Sequence, residues 1–108
     1  MVSHGVLAYS QNQLHLRQAR QRYGQANANV DSARARVSAR GADITQARAL
    51  LRDADAAVTK ARAELSRRES LSGTGAVSAE ELTTARTALA SATAAREVAA
   101  ATVASAEA

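Results

Sequence analysis

Few side chains in this sequence are of types that do chemistry, and their spacing decides what they can do. The two histidines, His4 and His15, have no cysteine anywhere in the chain and no acid at ligand spacing. Exposed or tag-like histidine fits them better than a metal site. No serine has a histidine and an acid arranged around it as a nucleophile needs. Gly73-Thr74-Gly75 is too short for a phosphate loop and lacks the lysine that should follow it. Asp53 and Asp55 fall on different faces of a helix and make no carboxylate pair. The residues therefore point to no enzyme, no cofactor and no metal. What remains is Arg67, Leu71 and Ser78, placed around a glycine-containing turn. Such a trio suits recognition: a multiple hydrogen-bond donor, an apolar anchor and a residue small enough for close approach. Each also has a local structural explanation. Ser78 is placed to cap a helix, worth about 1 kcal/mol. Leu71 can close the end of a hairpin, and Arg67 is a cation near a helix C-terminus.

The elements that must position these residues are written in a heptad. Leu16, Tyr23, Val30, Val37, Ile44, Leu51, Val58 and Leu65 recur every seventh residue. Three residues after each comes Ala19, Ala26, Ala33, Arg40, Ala47, Ala54 and Ala61, with Arg40 the one interruption. Large residues at one seam position and alanine at the other specify a long helix that lies closely against another helix. The chain has no Pro, Phe, Trp or Cys and only two Tyr, so it lacks both the commonest helix breaker and the bulk that fills a globular core. Its net charge of +4 is carried almost wholly by arginine, Lys60 being the single lysine. From Arg34 to Glu64 the arginines are scattered among acids and no aromatic residues interleave with them, which favours solvated faces over a nucleic-acid partner. No apolar run approaches a membrane span and no signal-peptide pattern is present. Residues 1–5 read as a start or tag remnant.

The expected fold is all-α, a long antiparallel two-helix coiled-coil hairpin, with a helix over residues 6–71, a tip at 72–77 and a second helix over 78–108. Ser78-Ala79-Glu80-Glu81 is a capping box, with Ser78 as N-cap and Glu81 at the third helical position. Val77 and Leu82 have the spacing of a hydrophobic staple. Gly73 is the residue expected to take left-handed backbone at the end of the first helix. The second helix repeats the seam, with Leu82, Leu89, Arg96 and Val103 at one position and Ala85, Ala92, Ala99 and Ala106 at the other. Folded at the turn, the two seams face each other in one constant register. Leu65 meets Ala85, Ala61 meets Leu89, Val58 meets Ala92, and Ala54 meets Arg96. Leu51 meets Ala99, Ala47 meets Val103, and Ile44 meets Ala106. Large faces small throughout except at Arg96, whose stem can cover the seam while its guanidinium reaches solvent or an acid opposite. Residues 6–42 have no partner in this scheme. The alternative is a three-helix bundle with a turn near Gly41, which would bury that orphan seam within the chain.

The tip, Arg67-Arg68-Glu69-Ser70-Leu71-Ser72-Gly73-Thr74-Gly75-Ala76-Val77-Ser78-Ala79-Glu80-Glu81-Leu82, resembles that of the α-helical hairpin in periplasmic adaptors, the HlyD/EmrA-like membrane fusion proteins of tripartite multidrug efflux pumps and type I secretion systems. The Arg, Leu and Ser spacing carries the resemblance, and the Gly-Ala-Val-Ser-x-Glu-Glu tip with the preceding Arg-Arg looks most like the EmrA type. The resemblance implies that Arg67, Leu71 and Ser78 touch a TolC-like outer-membrane channel. It implies a periplasmic location in a parent anchored in the inner membrane, and an inner-membrane exporter of the major-facilitator type reached through other parts. It also implies neighbouring adaptor hairpins along the sides. The lipoyl and β-barrel domains usual in such adaptors are not in this sequence. A generic structural coiled coil or three-helix interaction module is the other reading.

Overall fold

The computed structural model describes the backbone of residues 2–108 and the side chains from Gly5 onward, so Met1 and the side chain of His4 lie outside the described residues. Two long helices account for nearly all of it: α1 (Val2–Leu71) and α2 (Ala79–Glu107), joined through a 3-10 turn at Ser72–Thr74. No strand occurs among the described residues. The chain divides into two units, Met1–Ala39 and Arg40–Ala108.

In the second unit the chain is an antiparallel hairpin, and its buried stripe is the heptad seam. Ala47, Val58 and Ala85 are buried, at 5%, 7% and 6% exposure. Ile44, Leu51, Ala54, Ala61 and Leu65 on α1 are half-buried, as are Leu82, Leu89, Ala92, Ala99, Val103 and Ala106 on α2. Two helices enclose no interior, so a large seam residue reaches past the small one opposite and keeps one side in water. Only Ala47, Ala85 and one large residue, Val58, are covered fully.

Polar links across the two helices agree with this register. Arg96, the interruption in the α2 seam, donates from Nε to Asp55, the neighbour of the Ala54 it was expected to face. Arg48 donates from Nε and Nη2 to Glu107 Oε1 at 2.8 and 2.5 Å. The seam thus tolerates an arginine because an acid on the facing helix receives its head.

Gly41 lies inside α1, with nothing within 4 Å of where a Cβ would stand, and there is no turn there to make a third helix. One glycine without a proline does not stop a helix whose seam runs through in phase. The Thr45 hydroxyl donates to the Gly41 carbonyl at 3.0 Å, one turn back along the same helix. In the first unit α1 starts at Val2, ahead of the expected start near Val6. There Leu16, Tyr23 and Val37 stay 50%, 71% and 73% exposed.

Candidate functional site at the hairpin tip

The tip begins where α1 loses its hydrogen-bond ladder. The last carbonyls of a helix have no partner within it, and here hydroxyls supply one. Ser70 Oγ donates to the Arg67 carbonyl at 2.9 Å, Ser72 Oγ to the Glu69 carbonyl at 2.8 Å and Thr74 Oγ1 to the Leu71 carbonyl at 2.7 Å. Thr74 Oγ1 also accepts from the Ala76 N–H at 3.3 Å, so one threonine side chain ties the end of α1 to the loop beyond it.

These caps move the reversal of the chain. Gly73, expected to be left-handed, continues the helical sense inside the 3-10 turn. Gly75 takes the left-handed conformation instead, with φ 77°. The hydroxyls of Ser72 and Thr74 stabilise one more tight turn after α1, and the glycine two residues later does the turning. The helix end was legible, but the choice between two glycines depended on these side-chain bonds.

The other side of the tip is the start of α2. Ser78 has extended backbone, φ −79° and ψ 160°, and its Oγ accepts from the Glu81 N–H at 3.1 Å. The Leu82 N–H donates to the Ser78 carbonyl at 3.1 Å, the first bond of the helix. Glu80 and Glu81 place negative charge in the first turn, where the helix dipole is positive. Val77 and Leu82 are both half-buried, in keeping with a staple. Only one half of the capping box forms, because the Glu81 carboxylate reaches outward to Arg68 rather than back to the Ser78 N–H.

The three candidate recognition residues sit differently. Arg67 is exposed, Ser78 is exposed and Leu71 is half-buried one helical turn after Arg67. Arg67 and Ser78 are joined by a chain of contacts through Glu64, Arg68 and Glu81. Arg67 donates to Glu64 from Nε at 3.2 Å and from Nη2 at 2.6 Å. Arg68 donates from Nε to the same Glu64 Oε1 at 2.8 Å. Arg68 Nη1 reaches Glu81 Oε2 across the hairpin at 3.5 Å. Glu81 in turn holds Ser78 by its backbone. The signal was present in the sequence: Glu64 stands three and four residues before two consecutive arginines, the spacing at which helical side chains meet.

Adjacent arginines therefore do different work. Arg68, with 29% of its side chain exposed, spans two carboxylates and links α1 to α2. Arg67, at 59%, ends the chain of charges and faces water. The Arg67 hydrogen bond, followed by that of Arg68, holds the Glu64 carboxyl down from 4.5 to about 2, and Glu64 raises Arg67 above its usual value.

Below the tip, five alanines (Ala57, Ala61, Ala85, Ala88 and Ala92) line an open groove of about 310 Å3, together with Lys60 and Glu64. Among the described residues there is no group of three metal-ligating side chains, and no helix is long and apolar enough to cross a membrane.

A family model for the α-helical hairpin domain of RND membrane fusion proteins matches residues 43–108, the segment in which the two helices are paired. No curated protein and no solved structure matches the chain.

Proposed function

The chain belongs to the RND membrane fusion proteins through their α-helical hairpin domain, and from that premise we propose that it is the coiled-coil hairpin of an EmrA-like periplasmic adaptor whose tip docks on a TolC-like outer-membrane channel. Hairpin domains of this family are structural adaptors rather than enzymes, and the family implies an outer-membrane channel and an inner-membrane transporter as partners in general. The EmrA-like assignment, with a major-facilitator exporter in a multidrug efflux or type I secretion system, is the finer part of the proposal. It draws on the Gly75-Ala76-Val77-Ser78-Ala79-Glu80-Glu81 tip and the Arg67-Arg68 pair before it.

The observation that carries the docking reading is the arrangement at the tip. Arg67 and Ser78, from the two sides of the turn, are both exposed, with Leu71 half-buried between them in sequence. A tip of this kind enters the groove between two helices of a helical barrel, with Leu71 as the apolar anchor and Arg67 as the donor. Along the sides, the alanine-lined groove lets a neighbouring hairpin approach closely. The location is periplasmic, with the parent protein anchored in the inner membrane.

The test is binding of the protein to a purified TolC-family channel, with Leu71→Ser as the comparison. Loss of binding in a variant that keeps its helix content supports docking through the tip. Equal binding by the variant, or none by the parent, leaves a structural coiled coil as the function. A mobility-shift titration with duplex DNA is expected to show no salt-sensitive affinity.

A further inference from the structure

Arg67 carries five N–H donors, arranged as a side-facing fork of Nε and Nη2 and an end-facing fork of Nη1 and Nη2. Glu64 occupies the side-facing fork through both of its oxygens. Nη1 makes no bond, so it and the second hydrogen of Nη2 leave the end-facing fork open. The same carboxylate holds Arg68 Nε, and Arg68 reaches on to Glu81. Two cations and two anions make up this group, so it is electrically neutral even though two consecutive arginines stand at its head.

We propose that Glu64 is the positioning residue of the tip: it fixes Arg67 side-on so that only the end-facing fork meets a partner, and it cancels the local charge so that the matching acceptors are neutral oxygens, such as main-chain carbonyls. The inference rests on the docking reading and deepens it by naming the chemistry of the surface that is met. An arginine free at both edges takes a carboxylate in the side-on bidentate geometry. An arginine whose side edge is already filled, inside a neutral group, gains little from a second carboxylate and keeps directed donors for carbonyls. A helix terminus or loop in a helical barrel presents carbonyls of this kind.

Glu64 is half-buried beside seam residues Ala61 and Leu65 and lines the groove between the helices, so the test uses an isosteric change rather than a truncation. Glu64→Gln keeps the shape and one acceptor but removes the charge. Binding to a purified TolC-family channel is measured for the parent, Glu64→Gln, Arg67→Ala and the double variant at about 50 and about 300 mM salt, a range over which screening of exposed charge changes strongly. The parent is expected to bind with little dependence on salt. Glu64→Gln is expected to weaken binding at the higher salt by about threefold, in the range of exposed ion-pair couplings, and to acquire a salt dependence as one positive charge is uncovered. The loss is expected to vanish in the Arg67→Ala background, because Glu64 acts through Arg67. A second readout needs no channel: the Nε–H nuclear magnetic resonance signal of Arg67 is expected as a resolved, slowly exchanging peak in the parent and a collapsed one in Glu64→Gln.

If Arg67→Ala weakens binding and Glu64→Gln does not at either salt, the positioning role is overturned while docking stands. An unchanged Arg67 signal in Glu64→Gln overturns it equally. If neither Arg67→Ala nor Leu71→Ser alters binding, the docking reading itself fails and the proposal with it.

Discussion

In the unit Met1–Ala39 the large heptad residues Leu16, Tyr23, Val30 and Val37 stand between 47% and 73% exposed, while in Arg40–Ala108 the equivalent Ile44, Leu51, Val58 and Leu65 are half-buried or buried. The repeat is the same in both. The difference is α2, whose seam from Leu82 to Ala106 finds its counterparts on α1 down to Ile44. A heptad specifies a face ready for burial; whether it is buried depends on what lies opposite. Charge separates the units as well. The first holds five arginines and one aspartate, which make up the whole net charge of +4, while the second balances nine basic residues with nine acidic ones. Balance accompanies pairing, since every ion pair among the described residues lies in the second unit and three of them span α1 and α2.

The contrast is open to direct attack. Val58→Asp puts an unpaired charge into a seam position that is 7% exposed. It is expected to destabilise the hairpin by about 3 kcal/mol or more. Tyr23→Asp, at a heptad-equivalent position that is 71% exposed, is expected to stay within about 0.5 kcal/mol. Circular dichroism melts of the two variants compare the units; equal losses would break the comparison.

Glycines give a smaller effect of opposite sign. Gly75 has φ 77°, so Gly75→Ala is strained even though nothing crowds the site. A loss of about 1–2 kcal/mol is expected in the same melts. Gly24, within α1 of the first unit and equally uncrowded, is expected to gain about 0.5–1 kcal/mol when changed to alanine. Smaller again is the Arg96–Asp55 link. Replacing Asp55 by Asn is expected to cost about 0.2–1 kcal/mol and to lose its effect at high salt.

The smallest effect concerns pH. The Glu64 carboxyl is depressed in the folded chain, so its link to Arg67 and Arg68 contributes fully above its usual value of 4.5 and is lost as pH falls through about 2. A carbon-13 titration of the Glu64 carboxyl should show a midpoint near 2. A midpoint near 4.5 would dissolve the network that distinguishes the tip from the rest of the hairpin.

The seam, the hairpin and the place of the turn were legible because periodicity and capping are local signals that add up over many residues. The Arg96 seam residue was legible too, and of the two places open to its head, solvent or an acid on the facing helix, it takes the acid, Asp55. Three features were not read. The exchange of Gly73 for Gly75 depended on hydroxyls choosing particular carbonyls. The Arg48–Glu107 link joins residues just outside the seam, and only the facing register brings them together. Glu64 belongs to neither the seam nor the cap, and its one signal is its spacing to Arg67 and Arg68, that of a helical salt bridge. The alternative turn at Gly41 failed because glycine weakens a helix by about 1 kcal/mol, too little to end one that neighbouring residues continue in phase.

The alternating seam has a consequence for span. A repeat of large against small every seven residues cannot count its own teeth: sliding one helix past the other by a heptad again sets large against small. Only the fixed turn at Gly75 and the arginine–acid links tell one alignment from the next. Inserting a heptad into each helix at facing positions would therefore add about 10 Å of reach while every tooth still found a gap. The hairpin is built like an extending ladder, whose length can be reset in whole rungs without redesigning its upper end.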